Sequence, residues 1–140
     1  MLTRFNTAVA HSDFGRLLLR LTFGILMLFH GVSKAQHGIG WISAMLEAKG
    51  IPGFIAYGVF IGEIVAPILI IIGVLTRPAA LVYAFNLLVA TLLVGMGRFF
   101  SLTDVGAWAL ETEALYFFGG LSIMFLGAGR YALGANSRWS

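Results

Sequence analysis

Long apolar runs alternate with short polar breaks along this chain, and the charged residues fall singly near the ends of the runs. Four runs stand out, at about residues 17–35, 53–74, 79–97 and 111–129. A helix needs about 20 mostly apolar residues to cross a bilayer. The pattern therefore predicts an all-α membrane protein, a four-transmembrane-helix bundle in which residues 1–140 form a single membrane domain. Pro52-Gly53 suits the start of the second span. Arg77-Pro78 separates the second from the third, because proline is tolerated in a first helical turn but not in a helix interior. A mixed polar loop over Arg98 to Leu110 precedes the last span, and a short polar tail follows it.

Composition makes a bilayer the expected solvent. Hydrophobic residues are 59% of the chain and charged residues 11%, with a mean hydropathy of +0.94, outside the balance of a water-soluble domain. The net charge of +3 comes from scattered single cations with no basic run, so no nucleic-acid partner is expected. The absence of cysteine excludes a disulfide framework, a thiolate metal site, an iron–sulfur cluster and a dithiol relay. Arg4 and Arg16 ahead of the first apolar run imitate a secretory signal, but the run is expected to stay as a span, and the three further runs predict a membrane protein in either case.

Orientation follows the bias of Lys and Arg toward the cytoplasm in short loops. Arg4, Arg16, Arg77, Arg130 and Arg138 fall on one side, against Lys49 and Arg98 on the other, with Lys34 at its edge. Both termini are expected to be cytoplasmic. Trp41, Trp108, Trp139 and Tyr131 sit near span ends, where amphipathic rings favour the headgroup level. Gly24 and Gly31 share a face of the first span, and Gly58 and Gly62 share one in the second. Such small surfaces let helix backbones approach, within the chain or in a homo-oligomer.

Ionisable groups inside a membrane are site candidates by default, because each costs several kcal/mol in hydrocarbon. Arg20, one turn inside the first span, is expected to snorkel to the headgroups. Glu63 lies too deep for that, about 15 Å below the outer face at about 1.5 Å per residue. Unpaired, its carboxyl would be neutral; beside a cation it could stay charged. His30 and Lys34 lie one turn apart on the first span, and Glu111 and Glu113 open the fourth. His30, Lys34 and one of these glutamates fall in the same half of the bilayer as Glu63. Glu63 and His30 are the candidate catalytic groups, with Lys34, Glu113, Glu111, Tyr57 and Asn86 as candidate ligand-binding groups. No metal is expected, since the paired Glu-x-x-His pattern of di-iron bundles is missing. Haem is disfavoured because His30 is the lone histidine well inside a span. Phe54, Phe60, Phe117 and Phe118 add flat apolar surface, which most often means core. Aromatic walls with a His, a Glu and a Tyr are also what a quinone headgroup needs: stacking for the ring, and proton donors and acceptors for its oxygens.

The order of these features resembles the DoxX family of small bacterial membrane proteins. Phe29-His30-Gly31-x-x-Lys34, Gly50-Ile51-Pro52, the midspan Glu63 and Gly73-Val74-Leu75-Thr76-Arg77-Pro78-Ala79-Ala80 carry the resemblance, which extends from about Arg16 to Ala132. It implies a four-helix bundle in the bacterial inner membrane. Gly31, Lys34, Glu63, Gly73 and Arg77 match the family pattern. Some members of that family are linked to thiosulfate:quinone oxidoreductase and others to membrane oxidoreductase complexes. Three readings of the polar cluster stand together: a quinone-interacting subunit of an oxidoreductase system, a small-solute or proton-linked carrier, and a non-catalytic assembly module. The expected partners are the lipid bilayer, a quinone as ligand, and a second copy or another membrane or redox protein.

Overall fold

The computed structural model describes residues 1–140, which fold into helices joined by short turns. They are α1 (Leu2–Val9), α2 (Ser12–His37), α3 (Gly40–Ala48), α4 (Gly53–Ile72), α5 (Thr76–Arg98) and α6 (Glu111–Leu126). Helix α2 with 26 residues, α4 with 20 and α5 with 23 are long and apolar enough to cross a membrane. Helix α6 has 16 residues and falls short of that length. Its predicted end at residue 129 moves back to Leu126 because Gly127, at φ 80°, turns the chain out of the helix. Hydropathy cannot register such a stop, since the residues beyond it remain apolar. The third run begins earlier than predicted, at Thr76, because Arg77 and Pro78 occupy the first turn, whose N–H groups have no helical partner in any case.

The four long helices form an antiparallel ring in the order α2, α4, α5, α6, with α6 returning to α2. Close backbone approach sets the α2–α4 contact. Gly24 lies against Pro67 and Ile71, and a Cβ on Gly31 would overlap the Glu63 carbonyl. Gly62 meets Asn86 of α5 in the same way, whereas Gly58 faces open space. Gly24, Gly31 and Gly62 are thus used within the chain. A compact core of Met27, Ala66, Ile70, Ala80, Tyr83 and Ile123 fills the ring. Only 27 of 140 residues are buried, while Ile25, Phe29, Ile68, Leu81, Phe85, Leu92, Phe118 and Phe125 face outward. That inside-out distribution suits hydrocarbon and not water.

Arg20 does not snorkel. It is 1% exposed. Its Nε donates to the Ile70 carbonyl at 2.9 Å and Nη2 to Ile71 at 2.8 Å, while Nη1 donates to Ala128 at 3.0 Å and Tyr131 at 2.8 Å. The planar guanidinium satisfies carbonyls left free where α4 ends and ties them to residues 127–140. Arg77 acts similarly at the end of α6, donating to the carbonyls of Met124 at 2.8 Å and Phe125 at 2.9 Å. Gly73, at φ 76°, supplies the left-handed turn between these two clamps. The expected tail therefore folds back over the bundle end, where the Leu133 and Gly134 N–H groups donate to Ile72 and Gly73 at 3.0 Å.

Two short helices lie outside the predicted runs. Helix α1 turns Leu2, Phe5 and Val9 to one side, all exposed. Helix α3 packs Ile42 and Leu46 with Ala56 of α4, roofing the end of the bundle opposite residues 127–140.

Candidate functional site

At the α3 end, a cavity of about 500 Å³ opens among α2, α3, α4, α5 and the first turn of α6. Most of its wall is apolar, and its polar side chains come from four different helices. Lys34 and His30 come from successive turns of α2, Glu63 from α4, Asn86 from α5, and Glu113 and Thr112 from α6.

Glu63 sits in a widened π turn spanning Ile61–Val65, where the Ala66 N–H donates to the Ile61 carbonyl. A π turn inserts one residue into the helical ladder and is frequent at functional positions. Here it turns Gly62, Glu63 and Ala66 inward together. A second π turn, Thr91–Gly95, lies in α5 and contributes Thr91, Leu93, Val94 and Gly95 to the same cavity wall.

The Lys34 ammonium donates to both Glu63 carboxylate oxygens, at 2.8 and 2.7 Å. The Asn86 amide donates to Glu63 Oε2 at 3.4 Å. The Glu63 side chain is 4% exposed and that of Lys34 27%. A lone carboxyl group buried this completely would leave its oxygens without partners, and the Lys34 ammonium and the Asn86 amide satisfy both of them. The small surfaces described above set this geometry. Gly31 brings the α4 backbone onto α2 one turn before Lys34, and Gly62 brings Asn86 beside Glu63.

The other candidates divide. His30 lines the cavity but hydrogen-bonds to nothing within the protein; its ring meets Tyr116 edge to face, with centroids 5.6 Å apart. Glu113 lies at the cavity mouth, where Arg98 Nη2 approaches its Oε1 at 3.4 Å. Glu111 does not join it. Residues two apart on a helix point about 200° apart, and Glu111 instead lines a groove with Leu19, Phe23 and Trp108. Tyr57 also lies away from the cavity wall, 65% exposed and packed against Phe60. Arg98, which reads from sequence as a topology marker, and the α3 roof of Trp41, Ile42, Met45 and Leu46 are the parts the sequence reading missed. Clusters of polar positions at run ends were visible, but not which of them meet across the bundle.

Buried deeper, the Tyr83 hydroxyl donates to the Phe23 carbonyl at 2.9 Å. Tyr83 is fully buried, and its ring lies beside that of Tyr116 on the cavity wall, with centroids 6.5 Å apart.

The family model described as DoxX matches residues 15–96, more than half of the chain. The matched stretch holds Lys34, Glu63 and Asn86 and ends before α6. A protein of Bacillus subtilis (strain 168) named "Putative oxidoreductase CatD" is 34% identical over 82 residues, which are 59% of this chain and 60% of that protein. The aligned segment therefore spans less than two thirds of the relative's length. No solved structure matches. With three apolar helices of crossing length and a family match over most of α2 to α5, the chain is a multi-pass membrane protein that belongs to the DoxX family.

Proposed function

We propose that the protein is a quinone-interacting subunit of an oxidoreductase system in the bacterial inner membrane. The observation that carries this reading is the Lys34–Glu63 pair on the wall of a largely apolar cavity. The lining residues Ile55, Ile61, Val82 and Phe85 are themselves exposed on α4 and α5, so an apolar side opening faces the surrounding lipid. A ligand with a polar ring and an isoprenoid tail matches that combination. The oxidoreductase name of the Bacillus relative agrees with it.

A quinone takes up two electrons and two protons on reduction. This chain has no cysteine, so in this reading the electrons come from a partner oxidoreductase. What the chain supplies is binding and protons. Lys34 can donate to a headgroup oxygen while still holding Glu63, since an ammonium has three N–H donors and the carboxylate occupies two. Glu63 accepts or returns a proton as Lys34 shifts between the two. His30, free of internal hydrogen bonds and edge to face with Tyr116, contacts the ring in this reading. Asn86 holds the Glu63 carboxylate in position.

The topology belongs to the same reading. Arg77 at the start of α5 reaches the end of α6, and Arg98 at the end of α5 reaches its beginning. Helix α6 therefore runs beside α5 for its whole length, and we read it as a fourth crossing despite its 16 residues. Both termini then lie on one side, the cytoplasmic one by the distribution of arginines.

One specific observation favours a second reading. The Lys34–Glu63 pair is mutually satisfied without any ligand, as expected of an assembly module whose polar core only sets helix pairing. The test that separates the two is mass spectrometry of lipid extracts from protein purified in native nanodiscs. Isoprenoid quinone enriched over bulk lipid in the wild type and absent from a folded Glu63→Gln variant supports the quinone site. Lack of enrichment in both sinks it in favour of assembly.

A further inference from the structure

The cavity has its mouth beside the α3 roof, at Arg98 and Glu113, and is closed toward the opposite end of the bundle. At the α3 end its lining reaches Arg98, whose side chain is 51% exposed, and Glu113, at 29%. Lys34, 27% exposed, lies between these groups and Glu63. Below Glu63 the structure is dry. Met27, Ala66, Ile70, Ala80 and Tyr83 are each at most 3% exposed. Beneath them Arg20 uses its donors on four backbone carbonyls, and residues 127–140 cover the end. Water in hydrocarbon-like surroundings needs polar partners to persist. The cavity wall offers them from Glu63 to Glu113; the apolar core layer holds a single hydroxyl, on Tyr83, whose proton is given to the Phe23 carbonyl, and the next one, on the fully buried Thr76, lies at the foot of α5 apart from the cavity wall.

We infer that Glu63 exchanges protons with the aqueous phase on the α3 side of the membrane alone, with the Glu113–Arg98 pair as the outer station of that route. The inference rests on reading Glu63 as the proton-exchanging group. It adds a direction: protons taken up or released at the cavity belong to the α3 side whichever way the electrons move. The groups that face this route are Lys34 and His30 from α2, Asn86 and Arg98 from α5, and Glu113 and Tyr116 from α6. None of them lies below the Met27–Ile70–Tyr83 layer. The balance is a simple one: a proton leaving Glu63 passes by way of cavity water to Glu113, which is held near Arg98, and from there to bulk solvent.

Because the chain contains no cysteine, a single introduced thiol reports access without background. Asn86→Cys would probe the cavity beside Glu63, and Asn136→Cys, exposed at the opposite end, would mark the other face. Each is reconstituted into sealed vesicles, and a charged, membrane-impermeant methanethiosulfonate is added from one side or the other. The expected result is that the Asn86→Cys thiol reacts from the face that leaves the Asn136→Cys thiol untouched, at least tenfold faster than from the opposite face. Reaction from the Asn136 side, from both sides equally, or from neither overturns one-sided access. Gly58→Cys is a second probe of the same cavity, where an added side chain meets nothing within 4 Å, and it decides the matter if Asn86→Cys does not fold. No quinone enters this measurement. One-sided labelling with no quinone enrichment would leave the access route standing and remove only the ligand reading.

Discussion

Lys34 and Glu63 are joined by two charge-assisted hydrogen bonds, 2.8 and 2.7 Å long, between helices that meet at Gly31. The contact ties α2 to α4 at the depth where the bundle opens into its cavity.

Removing one partner leaves the other buried and uncompensated. Loss of a single member of a buried pair costs about 3–5 kcal/mol. Lys34→Met should fall at the lower end of that range because the Lys34 side chain keeps 27% of its exposure. The double variant Lys34→Met/Glu63→Leu should recover at least half of the loss, since no charge is then stranded. Reversible unfolding in mixed detergent micelles, followed by circular dichroism, measures both variants beside the wild type. A double variant as unstable as the single one would contradict the pairing argument.

Arg20→Lys should destabilise far more than a conservative exchange usually does. A lysine ammonium is a point donor and cannot span the four carbonyls of Ile70, Ile71, Ala128 and Tyr131. Each stranded buried acceptor costs about 1–3 kcal/mol, so a loss of about 3 kcal/mol or more is expected, with faster proteolysis inside residues 127–140. Unchanged protease resistance of that segment in Arg20→Lys would show that the clamp is dispensable.

Two glycines of the same bundle should respond oppositely to alanine. In Gly31→Ala the new methyl group meets the Glu63 carbonyl, so α2 and α4 must separate, at about 1–3 kcal/mol for overpacking. In Gly58→Ala the methyl group enters open space, and better helix propensity should leave stability equal or improved by up to about 1 kcal/mol. Thermal melts of the two variants in one detergent make the comparison. Equal effects would mean that close approach at Gly31 is not what sets the α2–α4 distance.

The Arg98–Glu113 pair should contribute little to stability. Its separation is 3.4 Å and its side chains are 51% and 29% exposed, and exposed pairs are worth about 0–1 kcal/mol. Arg98→Gln should therefore unfold within about 1 kcal/mol of the wild type while changing the rate at which a cationic thiol reagent modifies the Asn86→Cys probe. A large stability loss instead would move Arg98 from the cavity mouth to the structural core.

The apolar runs alone were enough to place the long helices, because crossing a bilayer requires a length of unbroken hydrophobic sequence that composition displays directly. They were less able to say where each helix stops. The fourth ends at Leu126 through the backbone turn at Gly127, and the third starts at Thr76 because a proline in its first turn is harmless. The family motif was likewise legible, since Gly31, Lys34, Glu63 and the Gly73–Arg77 turn sit in the matched stretch. Helix α3 was not, being too short for any span signal although it roofs the cavity.

What the sequence determined by itself was the solvent, the helical class and the set of polar groups that hydrocarbon would not tolerate alone. Which of those groups meet was decided only in three dimensions. Glu63 could have been neutral or paired, and the tertiary contact pairs it with Lys34. Arg20 could have reached the headgroups, yet four backbone carbonyls surround it in the interior. Glu111 and Glu113 look equivalent along the chain, but the helical period turns one toward the cavity and the other to the outer groove. A linear pattern encodes which residues must avoid lipid. Partner choice depends on helix rotation and on the close approaches at Gly31 and Gly62, which exist only once the bundle has packed.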